Sequence, residues 1–167
     1  MTSLALQQIT PAHAPDAKVE LLKDGFVKVK TSGYTVEVPK EWTVGSQTPW
    51  GARSITPKDE HKTELGVMTA GVTTSTWDEL YKTSLFFILN QEKGKATPFK
   101  LSKTATGYDA CSFQVLDASG FAKRRYVLLK SPKGEAIALS VIIADPKQEK
   151  QIAGYFDRMV KTAHIGV

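Results

Sequence analysis

Apolar and polar residues alternate strictly at two neighbouring places early in the chain, Phe26-Val27-Lys28-Val29-Lys30 and Tyr34-Thr35-Val36-Glu37-Val38. A period of two marks a half-buried strand. Thr31-Ser32-Gly33 lies between them as a short turn, so the pair predicts a β-hairpin. Pro39 cannot donate to a ladder and ends the second strand. Trp42 follows and carries a large apolar surface back toward the core. Residues 43–51 then read as a loop, broken by Gly45, Pro49 and Gly51 around Trp50.

Further on, strands are predicted at 52–56 and 65–73, with a charged turn at 58–63. Thr76-Trp77-Asp78-Glu79 fits the capping box, in which threonine and glutamate satisfy orphan amides reciprocally. A helix follows, with Trp77, Leu80, Tyr81, Ser84, Leu85, Phe87 and Ile88 on one arc. Phe86 lies opposite, beside Glu79, Lys82, Asn90 and Lys93. Gly94 marks the helix end. Strands at 99–104, 108–116, 121–130 and 136–144 form an antiparallel meander, separated by Gly-containing turns. The last of these is apolar on both faces, so the sheet needs a layer on each side. Asp145-Pro146 then starts a second helix. Its apolar stripe is Ile152, Tyr155, Phe156, Met159, Val160 and Ala163, with Lys147, Lys150, Asp157, Arg158 and Lys161 opposite. Together these elements predict an α+β fold, an α/β/α sandwich around a mainly antiparallel sheet.

Residues 1–20 carry no periodic pattern and read as a flexible tail, leaving 21–167 as a single domain. A chain of 167 residues suits one domain. The net charge of +5 permits an acidic partner and falls short of a specific nucleic-acid signal. One cysteine excludes an intrachain disulfide framework and a cysteine-based zinc site. No apolar run reaches transmembrane length. Ala12-His13-Ala14 has the small-x-small form of a signal cleavage site, yet residues 1–11 contain no Lys or Arg. Two compartments stay open: cytoplasmic, or extracytoplasmic with the signal segment upstream.

Little in the chain demands a reaction. Cys111 shares strand parity with Phe113 and Val115 and reads as a buried small hydrophobe. His13, His61 and His164 fall in a tail, a turn and a helix end, which separates them from a dyad with Cys111. Asp59, Glu60, His61 and Glu64 sit on a turn whose adjacent residues do not converge on one ion. No phosphate-cradling loop, nucleophile elbow or zincin motif is present. No catalytic, cofactor-binding or metal-ligating residue is therefore assigned. Two basic segments stand out: Lys93, Lys95, Lys100 and Lys103, then Lys123, Arg124, Arg125, Lys130 and Lys133. Both flank the meander, which lets them share one positive face; protection of sheet edges is the simpler reading. The candidate partner-binding residues are Phe86, Lys123, Arg124 and Arg125, and the partner they suit is another protein with acidic character.

The order of elements and the motif Tyr34-Thr35-Val36-Glu37-Val38-Pro39-Lys40-Glu41-Trp42 resemble the PsbP-like group. That group includes the photosystem II extrinsic protein PsbP, the bacterial DcrB-like lipoproteins and a Ran-binding nuclear-import factor. The resemblance covers about residues 26–165. It implies an α/β/α sandwich and a non-catalytic accessory or binding role, and it carries no ligand set onto residues here. The missing lipobox cysteine counts against a DcrB-like lipoprotein. The expected function is a non-catalytic accessory domain that binds another macromolecule. The alternatives are a small-ligand or lipid binder, with a pocket between the sheet and the 42–50 loop, and an enzyme of unrecognised class.

Overall fold

A computed structural model describes residues 14–91 and 94–166. The predicted hairpin is present as β2 (Phe26–Lys30) and β3 (Tyr34–Pro39). Its turn is closed by the Thr31 hydroxyl, which accepts from the Gly33 and Tyr34 amides, each at 3.2 Å. Two further strands complete a small sheet: β1 (Lys18–Leu21) on β2, and the short β12 (His164–Ile165) on β3.

The chain leaves this sheet at Pro39 and enters a larger one at Trp42. The larger sheet holds β4 (Trp42–Val44), β5 (Ala52–Pro57), β6 (Glu64–Val72), β7 (Lys95–Ala96), β8 (Lys100–Lys103), β9 (Asp109–Leu116), β10 (Arg124–Lys130) and β11 (Glu135–Ile142). Its order is β4-β5-β6-β11-β10-β9-β7, with β8 also pairing β9. Every ladder among the described residues is antiparallel. The meander β9-β10-β11 is as predicted, and β11 then pairs back onto β6. Residues 43 and 44, expected in a loop, are strand with Trp42, because Trp42 and Val44 both bury their side chains.

Helices α1 (Trp77–Gln91) and α2 (Glu149–Thr162) lie on opposite faces of the large sheet. The sheet divides its side chains strictly by parity. Ile137, Leu139 and Val141 of β11 join Leu65, Val67 and Leu129 in a core shared with α2 and with the inner face of the small sheet. Cys111, Phe113, Val115 and Leu128 face the other way, against Ile88, Leu85 and Tyr81 of α1. The fold is α+β, with two-sided burial of a mainly antiparallel sheet.

Both helix starts follow the sequence signals. The Thr76 amide donates to the Glu79 carboxylate at 2.7 Å, and the Glu79 amide to the Thr76 hydroxyl at 3.3 Å. Asp145 accepts from the Lys147 amide at 3.0 Å, although a 3-10 turn at Pro146–Gln148 precedes α2. Phe87 departs from expectation. It is 62% exposed, because the sheet-facing arc centres on Trp77, Ser84 and Ile88 and leaves Phe87 on its flank.

The N-terminal segment is the larger correction. Residues 1–13 lie outside the described residues, but 14–20 are built into the fold and are no tail. Ala14 and Ala17 are buried, and the Ala14 amide donates to the Val44 carbonyl at 3.1 Å. Asp16 reaches Arg53, whose guanidinium is fully enclosed. Arg53 Nη2 donates to Asp16 at 2.7 Å, Nη1 to the Gly45 carbonyl at 2.6 Å, and Nε to the Tyr34 hydroxyl at 2.9 Å. A buried cation requires such partners, since water cannot replace them. Burial pushes the Tyr34 phenol above its usual range, against the pull of the guanidinium.

Two outcomes follow from this packing. Trp42 is buried and meets Tyr155 edge-on at 5.8 Å, while Trp50 is 70% exposed. Trp42→Ala should cost about 3–5 kcal/mol in urea unfolding, and Trp50→Ala should stay within about 0.5 kcal/mol. Secondly, hydrogen bonding to Arg53 holds the Asp16 carboxyl below the usual carboxylate range. A depressed folded pKa adds stability that is full above the unfolded value and is lost as pH falls through the folded one. Urea midpoints should therefore decline less steeply with acid, from about pH 5 downward, in Asp16→Asn than in the wild type. Parallel profiles for the two proteins would remove Asp16 as the linked group.

Candidate functional site

The exposed apolar side chains on the α1 side of the large sheet come from α1 and from two strands. Phe86 is 66% exposed, in agreement with its place opposite the buried arc. Its ring meets the Phe87 ring edge-on at 5.6 Å. The two rings form a ledge of apolar surface in solvent. Leu89 is also exposed on α1. Leu101 is paired across from Cys111, and Met68 from Ala138, so both project from this same side of the sheet, where both are exposed.

The basic segments do not converge. Arg124 and Arg125 are adjacent on β10 and therefore point to opposite faces of the sheet. Arg125 lies on the α2 side with Val127, where it pairs with Glu149. It also lines a hollow of about 550 Å³ with Lys100, Gln114 and Asp157. Arg124 is half-buried on the α1 side, and Lys123 precedes the strand. Lys130 donates to the Ser75 carbonyl at 2.8 Å and lies 4.8 Å from the centre of the Trp77 ring. Lys103 pairs with Asp109 at 2.7 Å. Lys93 lies outside the described residues. The idea of one positive face over the meander is thus corrected: strand parity and local partners scatter these charges.

A different basic surface forms where sequence reading placed none. Val27, Val29, Val36 and Val38 are fully buried, so Lys28, Lys30, Thr35 and Glu37 occupy the outer face of the small sheet. The C-terminal part of α2 and β12 border that face, adding Lys161 and His164. The resulting cleft has a volume of about 660 Å³. His164 was expected at a helix end. It lies in β12, because Ala163 turns extended and the chain returns to pair with Thr35. The strand alternation at 26–30 does signal two outward lysines, but nothing local signals the return of residues 164–165.

The remaining candidates are structural. Cys111 is fully buried, and burial pushes its thiol up, away from the nucleophilic thiolate. Glu60 accepts from the Lys62 and Thr63 amides, the latter at 2.9 Å, which closes the charged turn. Among the described residues no three His, Cys, Asp or Glu side chains are grouped to hold a metal ion. A hollow of about 380 Å³ does adjoin Trp42, but Pro57, Lys58, Asp59 and Glu60 line it, and the 42–50 loop contributes only Trp42. Among the described residues no helix is long and apolar enough to cross a membrane.

Comparison with known proteins agrees with this geometry at the level of fold. The structure is similar to the solution structure of cyanobacterial PsbP (CyanoP) from Synechocystis sp. PCC 6803, at 14% identity and a TM-score of 0.58. The match covers 99% of this chain and 98% of that one. The fold is therefore PsbP-like. No protein-family model and no curated protein matches the chain.

The Arg125–Glu149 pair supplies a direct check on the dispersed charges. Arg125→Glu sets two carboxylates against each other at a side chain only 18% exposed. It should lower stability by about 1 kcal/mol or more, while Lys123→Glu should be nearly neutral. Equal thermal midpoints for the two variants would show that Arg125 is as free as Lys123.

Proposed function

We propose that the chain is a non-catalytic accessory domain that docks onto another protein through the exposed side of α1. The observation that carries this reading is the Phe86–Phe87 ledge. Two large aromatic rings stand mostly in water on a helix whose opposite face already fills a core. Aromatic side chains, phenylalanine among them, are enriched at the cores of protein–protein interfaces, where they are desolvated on binding. Met68 and Leu101 are further exposed apolar side chains on the same face of the sheet. A non-catalytic role accords with the buried, unactivated Cys111 and with the PsbP-like fold. Of the three basic candidates, Lys123 is the one placed outside the sheet ladders, where it can meet an acidic rim; Arg124 and Arg125 are turned apart.

The test uses a photo-crosslinking residue at exposed Thr83, on the outer side of α1, in cells of the source organism. Wild-type protein should yield a discrete adduct with one partner. Phe86→Ala combined with Phe87→Ala should abolish that adduct and weaken the purified complex by about 2 kcal/mol or more. Stability of this variant should remain within about 1 kcal/mol of the wild type, as for exposed positions. An adduct that survives the double substitution would eliminate the ledge as the docking site.

A further inference from the structure

We infer that the cleft on the outer face of the small sheet binds a phosphate-bearing ligand. Its nitrogen donors come from three separate elements. Lys28 and Lys30 project from β2, Lys161 from the last turn of α2 and His164 from β12. Cross-strand register fixes their spacing. Lys30 is directly opposite Thr35, and Thr35 is directly opposite His164, so one row runs Lys30–Thr35–His164 across three strands. A hydroxyl donor thus lies between two cationic or hydrogen-bonding groups.

The side chains are available. Among the described residues, Lys28, Thr35 and Lys161 make no side-chain hydrogen bond or ion pair. Lys30 has one partner, Glu20, at 3.6 Å, longer than a hydrogen bond. His164 touches only a ring edge, with Tyr108 at 6.5 Å between centroids. Gathering ammonium groups that lack a close ion-pair partner in one concavity costs mutual repulsion, which an anion relieves.

The acidic residue in the cleft does not oppose this. Glu37 is gripped by Arg158, whose Nε and Nη2 both donate to one carboxylate oxygen, at 2.8 and 2.7 Å. Arg158 also pairs with Asp24, and Lys28 stands directly opposite Glu37 and Glu20 across the strands, so the carboxylates here are matched by those two cations. Lys161 makes no ion pair and Lys30 only the long one to Glu20, which leaves them to meet another anion. Lys ammonium groups bind phosphate as point charges, and a neighbouring hydroxyl completes the donor set. The volume of about 660 Å³ suits a small phosphorylated molecule or a phospholipid headgroup. The inference is independent of docking through α1, since no residue is shared.

The test is an amide-resonance titration of the full chain with inorganic phosphate and inorganic pyrophosphate. A parallel titration uses vesicles of phosphatidylglycerol in phosphatidylcholine, with pure phosphatidylcholine as control. Saturable shifts should centre on Lys28, Thr35, Lys161 and His164. Lys28→Ala combined with Lys161→Ala should weaken binding roughly tenfold or more. Lys58→Ala combined with Lys133→Ala removes equal charge elsewhere and should leave binding unchanged. Binding of the soluble probes assigns a free phosphorylated ligand. Binding only to anionic vesicles, lost in Lys28→Ala/Lys161→Ala, assigns a lipid headgroup. Equal weakening in both double variants would reduce the effect to net charge and overturn the inference. So would the absence of saturable shifts with every probe.

Discussion

One guanidinium binds the architecture together. Arg53 rises from β5 of the large sheet into a space that water does not reach, and three parts of the chain have to come to it. Tyr34 brings the small sheet, Gly45 brings the link after β4, and Asp16 brings the N-terminal segment. A buried charge tolerates little error in its partners, because each lost hydrogen bond exposes an uncompensated cation to a low-dielectric interior. The relative position of the two sheets is therefore specified by a polar contact at the edge of an apolar core. The valines of β2 and β3 supply burial, at about 1.5–3 kcal/mol for each fully buried side chain. Burial of that kind is directionless. The Arg53 contacts supply a direction.

Much of this fold is written in local periodicity, and what is not local is not written there. The hairpin of β2 and β3 follows from strict alternation and a Thr-x-Gly turn. The capping box at Thr76 and Glu79 forms as the spacing demands. The strand β12 has two residues and no period to read, and it exists only because β3 offers an edge. Asp16 lies in a Pro- and Ala-rich stretch whose purpose is visible only from Arg53, 37 residues later. Phe87 shows a finer limit. A helical wheel places it on the flank of the apolar arc, and only the width of the sheet beneath decides whether a flank is covered. The separation of Arg124 and Arg125, by contrast, is already implied once their segment is read as a strand.

The two sides of the molecule differ in chemistry for a reason rooted in layering. On the α1 side a single helix covers β9 and β10, and apolar residues at its margins stay in solvent. The other side is closed by α2 together with the small sheet, so its outermost surface is the polar face of β2 and β3. Alternation there sends valine inward and lysine outward. Apolar and cationic surfaces are thus segregated by the main sheet, and contact at one leaves the other open.

The ion pairs of Arg158 bear on how such a chain reaches its native state. Arg158 is 134 residues from Asp24 and 121 from Glu37. Contacts of that separation carry a loop-closure cost before any reward arrives. The hairpin can form early, yet its outer face and open edge have no seal until α2 has been synthesised and has swung back. During translation, β3 presents an unpaired backbone edge throughout the appearance of the whole large sheet. Its polar outer face, lysine on one strand and threonine and glutamate on the next, keeps that edge soluble through the wait. The charges that flank the finished cleft are also guardians of the nascent chain.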